Sequence, residues 1–138
     1  MSFVRRFVPS PLVVFVGSSL LCAGALFGAA AADGLTTTKS GVSTTAQIER
    51  GKVVYDKSCG NCHQVDFYLE RLPKFTGKPA STLFEALSTT MPADNVGSLL
   101  TSEYVDVMAY IFSITGAPAG KTELTTDNME AVKITHIE

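Results

Sequence analysis

Cys59-Gly60-Asn61-Cys62-His63 is the stretch on which the reading of this chain turns. Two thiols separated by two residues, with a histidine directly after the second, form the attachment signature of a c-type haem. The chemistry explains the spacing. Each thiol adds across one vinyl group of the porphyrin, and the imidazole that follows lies beneath the iron as proximal ligand. Cys59 and Cys62 are therefore expected to hold one heme c through two thioether links, and His63 to bind its iron. A Cys-x-x-Cys pair alone would also suit a thioredoxin-like redox site or half of a zinc site. A redox pair does not need His63. A four-ligand zinc site needs two more ligands, and the rest of the chain offers only Cys22 and His136.

The N-terminus reads as a secretory signal. Arg5 and Arg6 form a short basic region, residues 12–27 are mostly apolar and uncharged, and Ala30-Ala31-Ala32 supplies small residues for cleavage. Cleavage would leave Asp33 as the new N-terminus; an uncleaved anchor helix is the alternative, from an apolar run near the short limit for spanning a bilayer. Export implies a periplasmic location and no membrane span after cleavage. It also removes Cys22, so Cys59 and Cys62 remain as the only cysteines. Arg5 and Arg6 are the only charges lost, which moves the formal net charge from −2 to about −4. That balance argues against nucleic acid as a partner.

The remaining chain suits one domain. It has no Trp and few aromatics, so its own core is limited. A covalently held apolar macrocycle would supply what the side chains do not. Residues 33–44, rich in Thr, Ser and Gly, read as a flexible leader. Thr44-x-x-Gln47 resembles a capping box and predicts a helix from about residue 45. Ile48, Gly51, Tyr55 and Cys59 then share one face, and the helix delivers the thiols at its end. Gly51 costs about 1 kcal/mol relative to Ala inside a helix. Close contact with another helix would explain it; a neutral surface glycine is the alternative.

Residues 64–79 carry Pro73, Gly77 and Pro79 and read as a loop, with Phe67, Tyr68, Leu69, Leu72 and Phe75 available to line a haem pocket. Residues 81–88 suggest a short helix with Leu83, Phe84 and Leu87 inward. Pro92 pushes Met91 out of helical geometry into an extended conformation. Thr101 or Ser102 is expected to cap a last helix with Tyr104, Val107, Met108 and Ile111 on its apolar face. Gly116 is a natural C-cap and Pro118 a stop. Residues 119–138 form a polar tail with scattered apolar residues.

Four residues compete for the second axial position: Met91, Met108, Met129 and His136. Met108 lies on an apolar helix face, where Met more often fills the core. Met129 and His136 lie in the tail. Met91 is held by Pro92 in a loop well beyond His63 and is the expected ligand. A thioether favours ferrous iron and raises the reduction potential relative to bis-histidine ligation. Two protein ligands also leave no open site for oxygen or peroxide.

Gly51-x-x-x-Tyr55-x-x-x-Cys59-x-x-Cys62-His63, Met91-Pro92 and Val107-Met108-Ala109-Tyr110 together resemble class I c-type cytochromes. The resemblance covers residues 45–118. It implies an all-α fold of about three to five helices wrapped around one covalently bound haem, with an aromatic of the last helix near Gly51 and the first-helix aromatic. The segments Ser88-Thr89-Thr90-Met91-Pro92-Ala93-Asp94-Asn95, Tyr104-x-Asp106-Val107-Met108-Ala109-Tyr110-Ile111 and Gly116-Ala117-Pro118-Ala119-Gly120 resemble more closely the cytochromes that accompany quinoprotein dehydrogenases. This implies a non-enzymatic electron carrier or electron-transfer subunit, with a PQQ-dependent dehydrogenase as donor and an oxidase or another cytochrome as acceptor; a monomer is expected, as for most small cytochromes. The family commonly has a proline carbonyl that accepts a hydrogen bond from the proximal imidazole, and Pro73 is the candidate. The alternative function is a small haem enzyme, a peroxidase or sulfur-compound oxidase, with a labile sixth ligand. A ligand sensor is a further alternative, but one that needs an output domain.

Overall fold

The computed structural model describes residues 36–135. The expected signal segment, Cys22 and His136 lie outside the described residues. The described chain is all-α: α1 (Thr45–Ser58), α2 (Val65–Arg71), α3 (Ala80–Thr90) and α4 (Thr101–Ile114), with short 3-10 turns at Thr38–Ser40 and Leu72–Phe75. Among the described residues no helix is long and apolar enough to cross a membrane.

Helix α1 starts where the Thr44 hydroxyl accepts the Gln47 backbone N–H at 3.2 Å, which satisfies one of the orphan donors of the first turn. The second half of the expected capping box does not form. The Gln47 side chain is buried and pairs instead with the backbone of Leu124, donating to its carbonyl at 2.8 Å and accepting its N–H at 2.9 Å. The reason is competition: a buried tail backbone needs partners, and the amide group supplies both a donor and an acceptor. At Gly51, a Cβ would stand 1.9 Å from the Asp106 carbonyl oxygen and 3.0 Å from the Tyr110 Cβ. The glycine therefore permits a close crossing of α1 and α4. Tyr110 also lies beside Tyr55, with ring centroids 5.0 Å apart.

Helix α4 is the axis of the core. Val105, Met108 and Phe112 join one apolar cluster with Leu72, Leu83, Leu124, Met129 and Ile134. Val107 and Ile111 face a second cluster with Tyr55 and Tyr68. Its cap is Leu100 rather than Thr101 or Ser102, and the Leu100 N–H donates to the Glu103 carboxylate at 2.8 Å. The helix ends through Gly116 at φ +99°, with the Ala117 N–H reaching back to the Phe112 carbonyl at 2.9 Å.

Two further expectations change. Residues 64–79 are not simply a loop, because α2 and the Leu72–Phe75 turn form within them. A seven-residue helix hemmed in by Pro73 leaves too short a period to read. The leader also differs from a flexible segment over its described part, residues 36–44. Thr38, Val42 and Ser43 are buried, and the Thr38 N–H donates to the Lys133 carbonyl at 3.0 Å while the Lys133 N–H donates to Thr36 at 2.8 Å. The tail runs on to residues 77–80, where Gly77 and Ala80 donate to the carbonyls of Ile134 and Val132. Leu124, Met129, Val132 and Ile134 are all buried, so leader and tail belong to the same core as residues 45–118.

Candidate functional site

The five-residue motif forms a tight turn off the end of α1. The N–H groups of Cys59 and Gly60 both reach the Tyr55 carbonyl at 2.8 Å, and those of Cys62 and His63 return to the Cys59 carbonyl at 3.1 and 2.9 Å. The Tyr55 hydroxyl donates to the His63 carbonyl. One aromatic of α1 thus ties the far end of the motif back to the helix that begins it.

This turn borders a cavity of about 640 Å³ whose lining includes Cys59, Cys62, His63, Met91 and Pro92. The size falls in the range of cofactor pockets. Phe67, Tyr68, Leu72, Phe75, Leu83, Leu87, Val107 and Ile111 supply apolar walls, and Lys57 and Arg71 are the basic residues among them. Leu69 differs from its expected role: it is exposed and does not line the cavity. Phe67 stacks on the His63 ring at 4.1 Å between centroids, and the Arg71 guanidinium lies 5.0 Å from the Phe67 ring.

Met91 sits at the end of α3 with φ −127° and ψ 154°, the extended geometry expected before a proline; the Met91–Pro92 peptide is cis. Its N–H is held by the Leu87 carbonyl at 2.9 Å and its carbonyl by the Tyr104 hydroxyl at 2.6 Å. Of the four residues considered for the second axial position, Met91 alone lines the cavity among the described residues. Met108 and Met129 are buried in the apolar cluster. The Pro73 carbonyl accepts the Thr76 N–H at 3.1 Å within the turn, and Pro73 does not line the cavity.

Burial raises the Cys59 thiol above its ordinary pKa, while Cys62 is exposed at the rim. Burial likewise raises the Tyr68 phenol. The donor set fits a c-type haem on its chemistry: two thiols, one imidazole and one thioether border a single, largely apolar cavity. Sequence reasoning missed the two tyrosine hydroxyls that hold the backbones of His63 and Met91. The signal was available, since a buried Tyr in an apolar face needs a partner for its O–H where Phe would not.

Comparison with protein-family models, with curated proteins and with solved structures finds no match.

Proposed function

We propose that this chain is a periplasmic electron-transfer c-type cytochrome of class I, carrying single electrons between redox partner proteins. The observation that supports it most is the common cavity bordered by Cys59, Cys62, His63 and Met91. Cys59 and Cys62 are the residues that would hold the porphyrin, and His63 and Met91 those that would hold the iron. A haem bound there supplies a one-electron ferric/ferrous couple.

The chain's own contribution is threefold. The turn at residues 59–63 fixes the two thiols and the imidazole in one register. The largely apolar walls lower the polarity around the site, which with the methionine sulfur would favour the ferrous form. The rim at Asn61 and Cys62 is exposed, so a partner reaches the site there. The resemblance to cytochromes of quinoprotein dehydrogenases makes a PQQ-dependent enzyme the proposed donor and an oxidase or another cytochrome the proposed acceptor.

The test is a redox titration of the purified protein with its ferric optical spectrum. Reversible one-electron cycling is expected, with the weak far-red band of methionine sulfur on ferric iron present in the wild type and lost in Met91→Ala. A high-spin ferric spectrum with peroxide turnover would overturn the carrier reading in favour of a haem enzyme.

A further inference from the structure

We propose that Tyr104 is the positioning residue for Met91, its hydroxyl holding the Met91 carbonyl so that the thioether stays directed to the iron. The inference rests on the reading of Met91 as an iron ligand. Tyr104 is only 4% exposed and stands edge-on to Phe84 of α3, with centroids 6.3 Å apart and planes at 83°. Its ring is thereby fixed between α3 and α4, and its hydroxyl reaches the Met91 carbonyl at 2.6 Å.

This bond matters because little else restrains Met91 from that side. Residues 93–98 are exposed. Among the described residues their hydrogen bonds stay within the loop, from Asn95 to Pro92 and from Ser98 to Asn95. The α3 backbone holds the Met91 N–H, and Tyr104 holds the carbonyl from α4. Fixing both ends of one residue removes backbone freedom that ligation would otherwise have to freeze. The packing of the ring does not require the hydroxyl, since Phe would fill the same space. The hydroxyl is the part that bears on ligation.

The experiment titrates the ferric protein with imidazole, which competes for the methionine's position, and follows the far-red band. Wild type, Tyr104→Phe and Thr115→Val are compared. Thr115 also loses a buried hydroxyl, one that bonds the Ile111 and Phe112 carbonyls at the other end of α4. Loss of one neutral hydrogen bond corresponds to roughly a three- to tenfold change in equilibrium. Tyr104→Phe should therefore release Met91 at roughly three- to tenfold lower imidazole, and Thr115→Val at the wild-type concentration. Equal titrations for wild type and Tyr104→Phe, or an equal shift in Thr115→Val, would overturn the brace while the far-red band upholds Met91 as ligand. A wild-type protein without that band would overturn both.

Discussion

Gly51 of α1 meets the Asp106 carbonyl of α4 so closely that a Cβ on the glycine would fall 1.9 Å from that oxygen. The obstacle is backbone, which cannot rotate away, so any side chain must push the two helices apart. Helix propensity alone favours Gly51→Ala by about 1 kcal/mol. Overpacking typically costs about 1–3 kcal/mol and sometimes more, and here it should win. The denaturation midpoint of Gly51→Ala is expected to fall. An unchanged or raised midpoint would mean that the crossing is looser than described.

Gln47 is the buried link between α1 and the tail, beside the exposed Arg50–Glu123 ion pair. Gln47→Leu keeps the bulk but strands the Leu124 N–H and carbonyl in the core. Each buried unsatisfied group costs about 1–3 kcal/mol. Hydrogen exchange at the Leu124 amide should accelerate at least as much as global stability falls. Retained protection at Leu124 would show that the tail is held without Gln47.

The three methionines of the described core and cavity should separate cleanly. Met108→Leu and Met129→Leu conserve volume in the apolar cluster and should each cost under about 1.5 kcal/mol, with the haem spectrum unchanged. Met91→Leu should change the spectrum with little effect on the fold. A spectral change in either core variant would move the ligand assignment.

Burial holds the Tyr68 phenol protonated beyond its ordinary range. The folded state therefore keeps a proton that the unfolded chain gives up near pH 10. Stability supplied by this group is complete below pH 10 and is lost as pH rises, by up to about 1.4 kcal/mol per pH unit. Tyr68→Phe should flatten the alkaline decline measured by denaturant unfolding. An equally steep decline in that variant would assign it to other groups.

The sequence was most legible where short-range chemistry decides. Thr44 as cap, the extended Met91 before Pro92 and the apolar face of α4 could all be read from neighbours within a few residues. What could not be read depends on distant partners. Residues 36–44 look disordered by composition, yet Thr38 finds its hydrogen bonds in Lys133 and Thr135 at the other end of the chain. Gln47 looked like half of a capping box because its true partner, Leu124, is 77 positions away. Helix α2 escaped because its seven residues carry less than two full turns of pattern. At the site, Cys59, Cys62, His63 and Met91 were named from motif and local geometry. The Tyr55 and Tyr104 braces were not, because a hydroxyl's acceptor is fixed only once the helices pack.

The most direct test of the account is peptide mapping of the exported protein from a host that attaches c-type haem. The tryptic peptide covering residues 58–71 contains Cys59, Cys62 and His63. This peptide is expected to carry the mass of one haem, with neither cysteine open to alkylation. A haem-free peptide, with both cysteines alkylated or joined to each other, would contradict it.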